Sequence, residues 1–444
     1  MTAARTTANA ANAANVANVA FTGDAVTGEY LAGDAASFAP PPAAGVRAIA
    51  TPWVLLLLGF VDTAGSLLTV LRTFERARDM GMGDFAVGAL AAVFAASQMV
   101  SALAWGRLSD RLGRRPVLLA GLVTSLVAYL LFARATSLTA LVAARALHGI
   151  GSGTAGVVLA TIADSAPQAA RARLFGHLGA ATSLGAVAGP LLVMLLTPHG
   201  ARLPELAMGA VVALALVVAW RCVPRGRFAH STSPGTTGAV TAALRSPVRV
   251  RWLIGVYAVA VGAASGIPVM LPVLLDTASG VPSAAWCVMF LGASGAIFRA
   301  AVVGPVASRF GECALLAVGL ACVGSGVAML AVPVAPPVVL LALTAMALGT
   351  ALTFPALGAL ITRATPAAQR GATMGAQQAV GGVSRAIVPL LIGVAVDAGA
   401  AIIPLLVTAA LLIFLAARVQ GAARRVAGDV SSAGARHLPP ARAC

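Results

Sequence analysis

The sequence predicts an all-α membrane protein of twelve transmembrane helices, arranged as two pseudo-symmetric halves of six. Three observations predict it. Of 444 residues, 59% are hydrophobic and the mean hydropathy is +0.93, more apolar than a soluble core requires. The apolar material between residues 52 and 418 divides into twelve runs, each near the ~20 helical residues that cross a bilayer core of about 30 Å. The two sets of six also echo each other at an offset of 198 or 199 residues. GRLSDRLG at Gly106 to Gly113 aligns with GPVASRFG at Gly304 to Gly311, and Pro167, Arg171 and Pro190 align with Pro366, Arg370 and Pro389. Such parallel repeats imply a pseudo-two-fold axis along the membrane normal, with a cavity between the halves.

In chain order, residues 1–50 come first, with an Asn-Ala repeat around Asn9 to Asn18 and prolines at 40 to 42. They are too polar for the apolar stretch of a secretory signal and are expected to form a disordered cytoplasmic tail. The first six spans are expected near 52–72, 84–105, 116–133, 138–163, 173–197 and 204–221, within a half covering 51–222. Residues 223–251 mix Ser, Thr, Gly and Pro with Arg225, Arg227, Arg245, Arg249 and Arg251, and read as a cytoplasmic linker. The second six follow near 252–275, 284–306, 312–332, 337–361, 373–396 and 400–417, in a half covering 252–418. Residues 419–444 read as a second cytoplasmic tail.

The formal charge of +16 is carried entirely by thirty arginines, so no P-loop lysine is available for nucleotide phosphates. In a membrane protein such an excess marks the cytoplasmic side and not a nucleic-acid partner. A cytoplasmic N-terminus puts 22 arginines in or beside cytoplasmic segments, 5 outside and 3 within spans. Trp53, Trp105, Trp220 and Trp252 then fall at cytoplasmic boundaries and Trp286 at an outer one, where indole is favoured. The expected location is the inner (plasma) membrane, multi-pass, with both termini cytoplasmic. Nothing in the spans provides a nucleophile, a metal cluster or paired catalytic acids, so an enzyme is not expected, nor a cofactor.

GRLSDRLGRR, Gly106 to Arg115, sets five charges between two apolar runs and must lie in water or at headgroups. Through Gly106, Asp110, Arg111, Gly113, Arg114 and Arg115 it resembles the loop signature of the major facilitator superfamily, and the resemblance extends over roughly residues 50 to 420. It implies that Asp110 meets the positive start of the eleventh helix, near Gly371, and that Arg114 pairs with Asp164. Together they would latch the cytoplasmic side shut when the outer side is open. A plain topogenic loop is the alternative. In the second half Ser308 replaces Asp110 and Arg363 replaces Asp164, so the matching latch is expected to be degraded.

Gly176, Gly185, Gly189 and Pro190 in the fifth span are spaced as in a motif resembling that family's antiporter signature, though Val193 and Met194 stand where two glycines usually follow. Ordinary helix packing by small residues competes with an export-specific role. LVAARALHGIGSGTAG, Leu141 to Gly156, resembles the family's fourth-helix motif, which implies a part for Arg145 in proton coupling. Asp62 is the acid nearest a membrane midplane and the first choice of proton carrier. Desolvation favours a neutral carboxyl and a nearby cation favours the ionised one, so moving Arg145 relative to Asp62 would change its protonation. A permanent Asp62–Arg145 ion pair is the open alternative. His148, one turn from Arg145, is either a relay or a histidine bonded within the bundle.

Arg299 and Arg385 are further intramembrane cations, suited to an acidic or acceptor-rich part of a substrate unless they snorkel to the surface. Gln98, Gln377 and Gln378 either face the cavity or bridge helices. The expected function is proton-coupled export of a small organic molecule, a drug or secondary metabolite, by one chain alternating access in the bilayer, similar to the drug and tetracycline efflux group. Spans three and nine lack the acids a tetracycline exporter would present there. A proton-coupled uptake symporter and a non-transporting receptor or scaffold remain the alternatives.

Overall fold

The computed structural model describes residues 52–165, 168–223, 247–275, 283–331, 335–366 and 369–432. The expected N-terminal tail, most of the linker and the last twelve residues lie outside the described residues, as does Pro167. Among them the helices are α1 (Trp53–Asp79), α2 (Asp84–Leu112), α3 (Arg114–Arg134), α4 (Leu138–Ser152), α5 (Ala155–Ser165), α6 (Gln168–Leu196) and α7 (Leu203–Cys222). The second half continues with α8 (Val248–Leu275), α9 (Ala284–Ala301), α10 (Val303–Met329), α11 (Pro336–Ala364), α12 (Arg370–Asp397) and α13 (Ile402–Ser432). α4 and α5 make one span, so twelve helical spans are long and apolar enough to cross a membrane.

Several boundaries differ from the sequence expectation; α9 ends at Ala301 and α10 already begins at Val303, and two further differences have a clear local reason. α1 continues past residue 72 to Asp79, because Arg72 is buried against Glu205 of α7 at 2.8 Å and also bonds Glu75 and the Ala201 carbonyl. α2 runs through the charged loop to Leu112, so most of GRLSDRLG is helix and the turn is Gly113 alone, at φ 92°. A left-handed φ suits glycine, which has no Cβ to clash. Gly311, its counterpart in the repeat, has φ 78° and kinks α10 in the same way. α13 continues to Ser432, beyond the span end expected at 417.

The pairings repeat in the two halves. α1 packs on α6 as α8 packs on α12, α2 on α4 as α9 on α11, and α3 on α7 as α10 on α13. The halves meet along α2 with α12 and α6 with α9, two contacts related by the same symmetry. Buried residues of both halves, among them Leu68, Met208, Leu271 and Leu316, join one apolar cluster. In hydrocarbon, where apolar burial drives little association, close packing of small residues holds such helices together.

Candidate functional site

The bundle end that carries Gly113 is called the loop end below, and the opposite one the far end. α1 supplies Asp62, and α6 holds that stretch in place. A Cβ on Gly185 would lie 2.4 Å from the Phe60 carbonyl oxygen, and one on Gly189 2.2 Å from that of Ala64. Two of the motif's glycines thus clamp the turn bearing Asp62 backbone to backbone, with Pro190 buried just beyond. Gly176 lies apart, with open space where a side chain would go.

Two polar networks converge here. In the first, Ser152 of α4 donates its hydroxyl to Asp62 and accepts from Gln98 Nε2 of α2 at 2.9 Å, so three spans share one carboxyl. In the second, Arg145 Nη1 donates to Thr69 Oγ1 at 2.9 Å and its Nε to the Leu90 carbonyl at 3.4 Å, while its guanidinium lies 4.6 Å over the Phe94 ring. His148 lies between Thr69 Oγ1, 3.2 Å from Nδ1, and Tyr129 Oη, 3.0 Å from Nε2. Thr69 can donate to the Gly65 carbonyl, 2.9 Å away, and accept from Nδ1–H, with Tyr129 donating to Nε2. Alternatively it donates to Nδ1, and Nε2–H donates to Tyr129. Both arrangements keep a neutral ring bonded at both nitrogens, so the imidazole can shift its proton across the ring without losing a partner.

Asp62 and Arg145 form no ion pair with each other. Each is held by its own network, and the alternative of a permanent pair gives way to two sets of partners meeting at one cavity. That cavity, about 350 Å³, lies within the first half and is lined by Asp62, Tyr129, His148, Ser125 and Thr154 among apolar side chains such as Leu118 and Val158. It is large enough for part of a small organic molecule, with apolar walls and a few convergent polar groups.

Gln98, Arg299, Gln377, Gln378 and Arg385 are not among its lining residues. Gln98 bridges α2 to α4 through Ser152, and Gln378 accepts from Tyr257 Oη of α8 at 3.4 Å. Gln377 is buried with its Oε1 unpartnered among the described residues. Arg299 is exposed and bonds the Gly295 carbonyl of its own helix at 3.2 Å. Arg385 is half-buried on α12, without a hydrogen bond or ion pair among the described residues. Sequence reasoning missed Thr69, Tyr129 and Ser152. Spacing offers a signal for two of them: Thr69 lies seven residues after Asp62, and Ser152 seven after Arg145, two turns along the same helix face.

At the loop end, Arg114 is nearly buried and donates to Asp164 Oδ2 from Nε at 3.1 Å and from Nη2 at 2.9 Å, to Ser109 at 2.5 Å and to Asp110 at 2.9 Å. Arg115 donates to the Trp220 carbonyl, and Arg111 is exposed. The expected contact of Asp110 with the start of α12 is replaced by this bond to Arg114. In the second half Ser308 bonds only the Pro305 carbonyl of its own helix among the described residues, but an ion pair is kept. Glu312 stands 198 residues after Arg114, Arg363 stands 199 after Asp164, and the two pair at 2.6 Å, so the ion pair persists with its charges exchanged.

At the far end the halves are bonded together along α2 and α12, beside a cavity of about 470 Å³ between α1, α6, α8 and α9. Asp397, the last residue of α12, accepts from the backbone N–H groups of Asp84 and Phe85 at 2.8 and 3.0 Å. A Cβ on Gly88 would lie 2.4 Å from the Pro389 carbonyl oxygen, and one on Gly393 2.7 Å from that of Asp84. On the same interface helices toward the loop end, Gly106, Gly176 and Gly179 face open space. Along α2 and α12 the backbones of the two halves therefore approach closely at the far end, while the interface glycines toward the loop end have no such neighbour. Among the described residues no group of three or more His, Cys, Asp or Glu side chains is placed to hold a metal ion.

The family model described as Major Facilitator Superfamily matches residues 52–389. The chain is 32% identical to the class G tetracycline resistance protein of Vibrio anguillarum over 322 residues, covering 68% of this chain and 78% of that protein. It is 29% identical to the class B tetracycline resistance protein of Escherichia coli, covering 77% and 87% respectively. The crystal structure of the nucleoside transporter NupG superposes with a TM-score of 0.67 at 16% identity, covering 83% of this chain and 99% of that one, a likeness of fold.

Proposed function

The chain belongs to the major facilitator superfamily, and on that premise we propose that it exports a small organic molecule across the inner membrane in exchange for protons. It is a multi-pass secondary transporter of small organic molecules. The proposal concerns direction, coupling and orientation. The loop end is taken as cytoplasmic, in line with the arginine distribution. Export is supported by the relatives, which are resistance proteins for a drug. Tetracycline itself is not carried over: α3 has no acid, and the acid of α10 is Glu312, tied to Arg363.

One observation carries the coupling: Asp62, bonded to Ser152, and the tautomer-capable His148, bonded to Tyr129, line the same cavity. An ionised Asp62 accepts from Ser152. When it is protonated it becomes a donor itself, the Ser152 and Gln98 hydroxyl and amide turn, and the hold of α1 on α2 and α4 changes. Substrate entering from the open loop end lies against Leu118 and Val158, and protonation from the other side of the membrane favours the reverse arrangement of the halves. Arg385, half-buried and unpaired among the described residues, is proposed to meet an acidic or acceptor-rich part of the substrate.

The test uses inverted membrane vesicles and a panel of fluorescent antibiotics, acidic and neutral. Accumulation is expected only under a proton gradient, and Asp62→Asn should abolish it while gradient-free exchange of preloaded substrate continues. Undiminished gradient-driven transport by Asp62→Asn would remove the coupling role from this carboxyl.

A further inference from the structure

We propose that Asp397 is an outer latch working in alternation with Asp110, so that one helix pair, α2 and α12, carries a carboxylate switch at each end. The names of the two ends rest on the orientation proposed above; the alternation does not. α2 and α12 run antiparallel along the interface between the halves, so the C-terminal end of each lies beside the N-terminal end of the other. The first N–H groups of a helix have no acceptor inside it and carry partial positive charge, so a carboxylate from the neighbouring helix is their natural partner.

At the outer end that partnership is made. Asp397 closes α12 and accepts from both Asp84 and Phe85 at the start of α2, two charge-assisted bonds between the halves. Gly83 is what lets it approach, since a Cβ there would lie 2.8 Å from Asp397 Oδ2. At the cytoplasmic end Asp110 occupies the corresponding place near the end of α2, yet it bonds only Arg114 among the described residues. Each half is a packed bundle, so closing the pair at one end parts it at the other, and the two carboxylates engage in turn.

The repeat shows that this is not a general feature of the interface. The symmetry-related contact is α6 with α9, and at the equivalent of Asp110 stands Ser308, on the first turns of α10 just after α9 ends. The position 199 residues before Asp397 is Pro198, in the turn just after α6, beside an exposed His199 that bonds only the Leu195 carbonyl in the last turn of α6. Both carboxylates are thus placed on one pair and neither on the other.

The measurement is the distance distribution between spin labels on genetically encoded residues at Leu138 and Ile402, exposed at the outer ends of the two halves, in the full chain in lipid vesicles without substrate or gradient. Asp397→Ala should raise the outward-open, long-distance fraction about tenfold, the factor expected when a charged hydrogen-bond acceptor is removed. Asp397→Asn keeps an acceptor oxygen and should remain near the unmodified distribution, Pro198→Ala should not shift it, and Asp110→Ala should shift it toward the short distance. An unchanged distribution in Asp397→Ala, or shifts of the same sign from Asp397→Ala and Asp110→Ala, would overturn the proposal. Because no transport is measured, an error in the export or proton assignment leaves this outcome untouched.

Discussion

The charge-exchanged pairs predict an asymmetry that can be measured. The Arg114 side chain is 8% exposed and Asp164 17%, while Arg363 is 56% exposed and Glu312 24%. Asp164→Ala removes the acceptor of two hydrogen bonds and leaves a largely desolvated guanidinium with Asp110 and Ser109 as its remaining partners. Loss of charged hydrogen bonds costs about 1.5–3 kcal/mol, and breaking a wholly buried pair about 3–5. The residual partners put the expectation near ~2–3 kcal/mol. Glu312→Ala releases an arginine that water already reaches, which costs about 0–1 kcal/mol. Denaturant unfolding in detergent micelles, followed by tryptophan emission, compares the two variants directly. The exchange Arg114→Glu with Asp164→Arg copies the second half's polarity and should recover part of the loss. Equal costs for Asp164→Ala and Glu312→Ala would refute the argument from burial.

Two further predictions concern packing and buried charge. Gly189→Ala sets a Cβ 2.2 Å from the Ala64 carbonyl oxygen, a backbone atom that cannot rotate away, so α6 and α1 must part by about 1 Å at an overpacking cost of ~1–3 kcal/mol. Transport should fall at least tenfold in vesicles with helical content unchanged, while Gly176→Ala, facing open space, should transport normally; normal transport by Gly189→Ala would detach the motif from Asp62. Glu205 is buried against Arg72 at 2.8 Å and Arg76 at 3.8 Å. Glu205→Ala leaves Arg72 buried without its main partner, a loss of about 3–5 kcal/mol. The yield of monodisperse protein should drop sharply, and a full yield would show that Glu75 and the Ala201 carbonyl satisfy Arg72 without Glu205.

Much of this protein is legible in its sequence because hydrophobicity and helical spacing are local properties. Twelve spans and the repeat follow from counting residues along the chain and aligning its halves, and the resemblance carried by GRLSDRLGRR implies the Arg114–Asp164 pair. The motif glycines at 185 and 189 could be seen, but not that they clamp the turn bearing Asp62. Tertiary structure alone decided which partners the polar groups take: Ser152 and not Arg145 for Asp62, Thr69 and Tyr129 for His148, Arg363 for Glu312, and the start of α2 for Asp397. A hydrogen bond depends on distances of tenths of an ångström between helices up to 313 residues apart in sequence. Hydropathy along one chain determines which segments enter the membrane; it holds no information on which end of two packed halves is closed, because that is set by contacts between them.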